Sequence, residues 1–127
     1  MRYLGLDFGH KKIGVALSDE RGDFVYPYSV IPTAGAEQAV LDICTREGAG
    51  EIVMGDTKDL GGGANPVSER AEKFAEDLKQ KTNLPLHFQT EVFTSREAER
   101  IIGDDEMRDA RAAAIILQSF LDLKRIK

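Results

Sequence analysis

Several features that define specialised protein classes are scarce in this sequence. A single cysteine, Cys44, stands among 127 residues, so no disulfide can form within the chain, and a reducing compartment is indicated. No apolar run approaches the ~20 residues of a membrane-spanning helix. The N-terminus reads as a β-strand and lacks the basic start, apolar stretch and cleavage site of a secretory signal. We therefore expect a cytoplasmic protein without a membrane segment, folded as one domain over residues 1–127.

Basic residues are also fewer than acidic ones. Lys and Arg number 17 against 22 Asp and Glu, which gives a formal net charge of −5. This charge disfavours a general nucleic-acid coat, because phosphate binding depends on Lys and Arg. An enzyme that acts on nucleic acid is not excluded, because a few local basic residues and bound metal ions can serve that purpose. With 42% hydrophobic and 31% charged residues, the composition is that of an ordinary folded domain.

The apolar pattern predicts an α/β protein. Three strands joined by tight turns precede alternating helices and strands, which predicts a mixed five-stranded sheet, three strands antiparallel and two parallel, with helices on both faces. Strands are predicted over residues 2–7, 13–18, 24–31, 51–55 and 86–90, and helices over 36–47, 66–82, 94–102 and 106–124. Pro27 lacks an N–H, so the third strand should lie at an edge or carry a bulge. Cys44, beside Val40 and Ile43, is predicted to be a small core residue.

The stretch YLGLDFGHKKIGVALSD, residues 3–19, places an acid at the end of an apolar strand. Open α/β sheets bind ligands beyond the carboxyl ends of their parallel strands. Asp7 lies at the carboxyl end of the first strand, so we expect it to point into that crevice. Gly9 would let backbone or a phosphate approach closely.

Asp109 is the most unusual of the other acids. It precedes Ala113 by four residues and Ile116 by seven, which places it on the apolar stripe of the last helix. A charge there is costly unless it is paired or binds a metal. The alternatives are a favourable interaction with the helix dipole and an ion pair with Lys12 or a neighbouring arginine.

Two further acids follow predicted strands. Asp56 comes after EIVMG and Glu91 after LHFQT, although a polar residue at such a junction is common. With Asp7 and Asp109, they could direct carboxylates into one crevice, the arrangement that holds Mg²⁺ or Mn²⁺. Two such ions about 4 Å apart activate a water and stabilise the leaving oxygen of a phosphodiester.

The basic and imidazole side chains near these acids allow two interpretations each. Lys11 and Lys12 could bind a phosphate or simply balance the charge of Asp7. His10 could touch substrate or be an inert loop residue, and His87, within a strand, is predicted to be structural. The three glycines at 61–63 lack the Lys-Ser/Thr of a P-loop.

Three segments resemble one protein family. LGLDFGHKKIGVALSD is similar to the first motif of the YqgF/RuvX family, SERAEKFAEDL to its middle helix, and DARAAAIILQSFLD to its last helix. The resemblance implies an RNase H-like fold related to RuvC. It also implies a nuclease, dependent on Mg²⁺ or Mn²⁺, that processes the 5′ end of pre-16S rRNA or resolves Holliday junctions. The implied partners are structured RNA or branched DNA, and a ribosome precursor.

Carried over by position, the resemblance makes Asp7 and Asp109 the first and last catalytic acids. Glu91 matches the middle acid, but the Asp before it and the Arg after it in the family motif are replaced here by Thr90 and Val92. Asp56 stands where the family has Gly-Leu-Pro and RuvC-type resolvases have their second carboxylate. The middle acid is therefore Glu91 or Asp56, unless all four acids act together. The expected metal ligands are Asp7, Glu91 and Asp109; the expected substrate contacts are Gly9, Lys11, Lys12 and Arg96.

These observations leave three functional hypotheses. The leading one is a metal-dependent nuclease acting on structured nucleic acid. The second is an RNase H-like module that binds nucleic acid or the ribosome without cleaving, which the altered middle motif favours. The third is an ATP-binding half of the actin/Hsp70 type, whose first phosphate motif is also Asp-x-Gly. It is disfavoured because those enzymes need two such domains and 127 residues hold one.

Overall fold

The computed structural model describes residues 1–56, 66–90 and 107–126. Its elements are β1 (Arg2–Phe8), β2 (Lys12–Ser18), β3 (Val25–Pro32), α1 (Ala36–Glu47), β4 (Ala49–Asp56), α2 (Pro66–Thr82), β5 (Leu86–Thr90) and α3 (Arg108–Ile126). These elements occur in the predicted order, and their ends agree with the predicted ends within about two residues. The helix predicted over 94–102 lies outside the described residues.

All five strands form one sheet in the order β3-β2-β1-β4-β5. The pairs β1–β2 and β2–β3 are antiparallel, whereas β4 pairs with β1 and β5 with β4 in parallel. Crossovers through α1 and α2 explain the parallel pairs, since parallel neighbours need a long connection. The predicted mixed sheet is confirmed.

Both expectations for Pro27 are met. Its strand, β3, lies at one end of the strand order. The register of β2 with β3 also shifts between Val15 and Ala16, whose partners are Ser29 and Pro27, so Tyr28 is the extra residue of a bulge. The edge position tolerates a residue without an N–H, and the bulge interrupts the ladder where that donor is missing.

Helices α1 and α2 end where the local sequence stops them. After α1, Gly48 adopts φ 68°, a left-handed conformation that favours glycine, and its N–H donates to the carbonyl oxygen of Cys44. After α2, Asn83 has φ 58° and Pro85 follows two residues later. The chain is thereby turned back into β4 and β5.

The larger part of the core lies between the sheet and helices α1 and α2. In β1, alternate residues Leu4, Leu6 and Phe8 are buried on this face. The ring of Phe8 packs against that of Phe74 in α2, with centroids 5.4 Å apart. Cys44 is buried here, as predicted, and burial raises the pKa of its thiol to about 11.

Helix α3 covers the opposite face of the sheet. There Leu117 and Leu121 pack with Tyr3 and Val53 in a second, smaller cluster. The contact is close because Gly5 has no side chain: a Cβ at this position would lie 2.8 Å from the Cβ of Leu117. Helices therefore cover both faces, as predicted. Among the described helices, none combines the length and the hydropathy that crossing a membrane requires.

Candidate functional site

Asp7 lies on the face of the sheet that α3 covers. Residues of β1 alternate between the two faces, and Tyr3 and Gly5 both contact α3. Asp7 is the next residue in that row and is half-buried. The first strand was predicted to end at Asp7, and β1 ends one residue later, at Phe8.

The first turn of α3 lies directly on β2 beside Asp7. Asp7 and Gly14 are Cα partners in the β1–β2 ladder. A Cβ on Gly14 would lie 1.8 Å from the carbonyl oxygen of Asp109, so only glycine leaves room for the helix main chain. The structure therefore brings the main chains of Asp7 and Asp109 next to the same glycine.

Gly14 is a residue that the sequence analysis missed. Its signal was present in the sequence: a glycine inside an otherwise apolar strand often marks the close approach of another backbone. Here that backbone belongs to the helix that carries Asp109. Gly14 thus determines how near the two acids can come.

Asp109 is half-buried in the first turn of α3, next to the fully buried Ala110. Its position near the helix N-terminus is favourable for a negative charge. Among the described residues it forms no ion pair, with Lys12 or with any other cation, so that alternative is not supported. A half-buried carboxylate without a cationic partner is suited to bind a metal ion.

The two candidates for the middle acid stand differently. The main chain of Asp56 ends β4 and pairs with Thr90 of β5, next to β1 at the carboxyl end of the parallel strands. Glu91 and Arg96 lie outside the described residues.

The described side chains do not by themselves make up a complete set of metal ligands. Among them, no three His, Cys, Asp or Glu side chains converge on one point. Asp7 and Asp109 contribute two carboxylates, the oxygen donors that Mg²⁺ and Mn²⁺ prefer. Their donor chemistry fits such an ion, and a third ligand would have to come from the strand ends at position 56 or 91.

The turn between β1 and β2 is held in a fixed shape. A Cβ on Gly9 would lie 2.5 Å from the carbonyl oxygen of Lys12, so the turn itself requires glycine there. Thr33 braces the turn from β3: its Oγ1 donates to the carbonyl oxygen of Gly9 at 2.8 Å. Its N–H donates to the carbonyl oxygen of Lys11 at 2.9 Å. The role of Gly9 in this structure is to close a rigid turn.

Lys11 and Lys12 are exposed on this turn. Within the described part of the chain, no carboxylate lies at ion-pair distance from either amine, that of Asp7 included. Neither lysine therefore forms a direct ion pair with Asp7, and phosphate binding and charge balance both stay predictions. Their charges are available to a phosphate beyond the end of β1.

His10, on the same turn, contacts α2. Its Nδ1 lies 2.6 Å from Nη1 of Arg70, and both side chains are exposed. No spacing rule in the sequence could have paired residues that lie 60 positions apart. His10 was a candidate from the sequence, whereas Arg70 was not.

The second histidine has the structural role that was predicted for it. Nε2 of His87 lies 2.7 Å from Oε1 of Glu51, and its ring packs on Phe120 with centroids 4.9 Å apart. Lys124 donates to Tyr3 Oη at 2.7 Å in the same cluster, and this hydrogen bond raises the lysine pKa. The cluster fastens α3 to the sheet near the start of β1, at the opposite end of that strand from Asp7.

Comparison with known proteins agrees with this geometry. The family model described as "RuvX: Holliday junction resolvase" matches residues 1–123. A Pelotomaculum thermopropionicum protein named "Putative pre-16S rRNA nuclease" is 39% identical, the alignment covering 96% of this chain and 87% of that protein. A Geobacillus kaustophilus protein of the same name is 36% identical over 98% of this chain and 100% of its own length.

Solved structures show the same fold. Thermus thermophilus RuvC, in complex with a Holliday junction substrate, superposes with a TM-score of 0.67 at 14% identity, covering 98% of this chain and 96% of RuvC. A second structure of Thermus thermophilus RuvC superposes with a TM-score of 0.66 at 12% identity. At these identities the likeness shows the RNase H-like fold alone. With the match of the family model over residues 1–123, it follows that the chain belongs to the RuvX family.

Proposed function

We propose that this chain is a metal-dependent nuclease of the cytoplasm that hydrolyses phosphodiesters in structured nucleic acid. The observation that carries the proposal is that the main chains of Asp7 and Asp109 both adjoin Gly14, near the carboxyl end of β1. The names of relatives that are 39% and 36% identical make the 5′ end of pre-16S rRNA, within a ribosome precursor, the first substrate to test. A four-way DNA junction is the second, from the description of the family model.

In this mechanism, Asp7 and Asp109 bind Mg²⁺ or Mn²⁺ through their carboxylate oxygens. The bound ion would activate a water and stabilise the charge that develops on the cleaved phosphate. The rigid strand and the first turn of α3 hold the two acids in place, so little reorganisation is needed when substrate binds. Gly14 keeps those two elements in contact.

For the third ligand we propose Glu91. It follows Thr90 directly at the end of β5 and retains the middle acid of the family motif. Asp56 is the alternative, and it follows a strand that pairs directly with β1. The match of Glu91 to the middle acid of the family motif favours Glu91 over Asp56.

Lys11, Lys12 and Arg96 are proposed to bind phosphates of the substrate. Lys11 and Lys12 stand on the braced turn that follows Asp7, without carboxylate partners in the described residues. Their amines would neutralise phosphates beside the reacting one, a contribution that weakens as salt concentration rises. Gly9 serves them indirectly, by closing the turn that carries both lysines.

The test is cleavage of a panel containing a pre-16S rRNA 5′ end, a single-stranded RNA and a four-way DNA junction, in Mn²⁺ and in EDTA. We expect metal-dependent cleavage that Asp7→Asn and Asp109→Asn each reduce at least a hundredfold, because each removes a charged metal ligand. Glu91→Gln and Asp56→Asn decide the third ligand, since only one of them should match that loss. Unchanged cleavage by Asp7→Asn contradicts the mechanism.

A binding module without activity is the second candidate. It is favoured by the middle motif, where Thr90 and Val92 replace the Asp and Arg that flank the family's middle acid. Such a module would bind the RNA of the panel equally well in EDTA and in Mn²⁺ and cleave nothing. Folded wild-type protein with that behaviour would replace the nuclease proposal by this one.

A further inference from the structure

The hydrogen bond between His10 and Arg70 joins the turn after β1 to α2. The two nitrogens, Nδ1 of His10 and Nη1 of Arg70, lie 2.6 Å apart. Because a guanidinium is always protonated and has donors only, Nδ1 must accept. The imidazole in this pair is therefore neutral, with its proton on Nε2, and that N–H remains available for a second hydrogen bond.

Positive charge surrounds this N–H donor. Lys11 and Lys12 adjoin His10 on the turn, and Arg70 stands beside it on α2. In the described residues no carboxylate is paired with any of these three cations. These three cations lie near the end of β1, the end of the strand at which Asp7 stands.

The pair lies at the same end of β1 as Asp7 but toward the other face. Asp7 belongs to the row that faces α3, whereas Phe8 packs against Phe74 of α2 at 5.4 Å between ring centroids. Arg70 precedes Phe74 by four residues, one turn of the same helix. A strand of nucleic acid that crosses the end of β1 would pass from the carboxylates to the His10–Arg70 pair.

We propose that His10 and Arg70 form a binding site for a phosphodiester that is not cleaved, next to the reacting one. His10 donates Nε2–H to a non-bridging phosphate oxygen. Arg70 is a positioning residue that fixes the tautomer and orientation of the imidazole, and its remaining N–H groups add positive charge. The inference rests on the proposed function, because the bound strand is the substrate of the nuclease.

Binding without cleavage tests the site. The fluorescently labelled RNA of the pre-16S 5′ end is titrated with protein in EDTA, over a series of salt concentrations. We expect Arg70→Gln and His10→Leu each to weaken binding roughly tenfold, because His10→Leu removes the hydrogen bond to the charged phosphate and Arg70→Gln removes the guanidinium that orients the imidazole and adds positive charge. In a plot of the logarithm of the binding constant against the logarithm of the salt concentration, Arg70→Gln should also make the slope shallower by about 0.7 to 0.9.

Two variants separate this effect from general charge loss. Lys79→Gln removes an exposed positive charge from α2 nine positions after Arg70, on the opposite side of the helix, and should bind as wild type does. His10→Gln keeps an N–H donor near the position of Nε2 and should bind within about twofold of wild type. Equal binding by His10→Leu and wild type, or equal losses in Arg70→Gln and Lys79→Gln, would overturn the proposal.

The tautomer is measured directly by ¹⁵N NMR of the imidazole rings. The chain has 2 histidines, so a His87→Gln variant assigns both. We expect His10 to carry its proton on Nε2 in wild type and to become a mixture of tautomers in Arg70→Gln. A wild-type His10 protonated on Nδ1 contradicts the proposal, because Nδ1 could not then accept from Arg70.

Failure of this inference is distinguishable from failure of the nuclease proposal. Wild-type protein that binds RNA with the expected variant effects but cleaves nothing in Mn²⁺ removes the nuclease and keeps the site. Wild-type protein that cleaves, while both His10→Leu and Arg70→Gln bind and cleave normally, removes the site and keeps the nuclease. No binding of the RNA by wild type in EDTA also removes the site.

Discussion

The carbonyl oxygen of Asp109 occupies the space in which a side chain on Gly14 would lie. A Cβ there would be 1.8 Å from that oxygen and 2.8 Å from the backbone nitrogen of Ala110. All the nearest atoms are main-chain atoms, so no rotation of a side chain could relieve the contact. Because Gly14 is the ladder partner of Asp7, this contact sets the spacing between the two acids.

Gly14→Ala should therefore damage both stability and activity. The added methyl group must push the first turn of α3 away from β2, and overpacking of this kind costs about 1 to 3 kcal/mol or more. Urea unfolding measures the loss, and cleavage of the pre-16S RNA end in Mn²⁺ measures the activity. We expect activity to fall at least tenfold even at temperatures where the variant is folded, because Asp109 moves relative to Asp7.

Gly5→Ala is the matched comparison. Its Cβ would meet the Cβ of Leu117 at 2.8 Å and the carbonyl oxygen of Ala113 at 3.0 Å, a lesser clash one row further from the acids. It should lower stability while leaving the activity of the folded fraction closer to wild type. An equal loss of activity in both glycine variants would show that general destabilisation, and not the spacing of the acids, is responsible.

The brace at Thr33 offers a separate test of the turn. Thr33→Val keeps the shape of the side chain but removes the donor to the carbonyl oxygen of Gly9, at 2.8 Å in the wild type. The loss of one hydrogen bond should lower the free energy of unfolding by about 1 kcal/mol. It should also weaken RNA binding, because the turn carries Lys11 and Lys12.

Thr45→Val is the control for that change. Thr45 Oγ1 donates to the carbonyl oxygen of Leu41 in its own helix at 3.1 Å, on an exposed surface. It should cost less stability, since water can replace the bond, and leave RNA binding unchanged. Equal RNA binding by Thr33→Val and wild type would show that the brace does not position the lysines.

Much of the fold was predictable because each element satisfies its own local rule. Alternation in β1 and the buried positions of α1 specify the strand and the helix, and glycine or proline marks their ends. The mixed sheet followed from the order of the elements, since tight turns join antiparallel neighbours and helices join parallel ones. Even the bulge at Pro27 was implied by its missing N–H.

The site was predictable only where one element carries the information. Asp7 was identified from the end of its strand, and Asp109 from its place on an apolar stripe. The contact of Asp109 with Gly14 depends on how a helix 95 positions later packs on the sheet, and the His10–Arg70 bond spans 60 positions. Such pairings are set by tertiary packing, which periodicity in one segment does not encode.

Asp19 should contribute to stability in a pH-dependent way. Its Oδ1 accepts from the N–H groups of Phe24, at 3.2 Å, and Asp23, at 2.8 Å, within the β2–β3 turn. These main-chain hydrogen bonds, that from Phe24 first, lower the pKa of the carboxyl below 3.8. Because the folded-state pKa is the lower one, the contribution is present at neutral pH and is lost as pH falls through it.

Unfolding experiments on wild type and Asp19→Ala at decreasing pH test whether the stabilising contribution of Asp19 is lost in acid. The difference in unfolding free energy between wild type and Asp19→Ala should shrink as pH falls below about 4. Asp42→Ala serves as the comparison, because Asp42 accepts from the side chain of Gln38 at 3.0 Å and not from main-chain N–H groups. A difference for Asp19→Ala that grows at acid pH would contradict the assignment.

Cys44 should be unreactive in the folded protein. Burial raises the pKa of its thiol to about 11, so little thiolate exists at neutral pH. A thiol reagent such as DTNB should modify Cys44 slowly in native protein and rapidly in urea. Cys44→Ala should retain full cleavage activity, because the residue lies in the core with α1; a loss of cleavage in folded Cys44→Ala would show that the thiol serves the reaction.

The same shift gives stability a pH dependence at the alkaline end. The ordinary thiol pKa of 9.0 applies to the unfolded chain and the raised value, about 11, to the folded one. The unfolded state therefore releases its proton first, and the stabilising contribution, complete below pH 9, is lost as pH rises toward 11. The free energy of unfolding of wild type should fall over this pH interval by more than that of Cys44→Ala. Parallel curves for the two proteins would show that the thiol is not protected by the core.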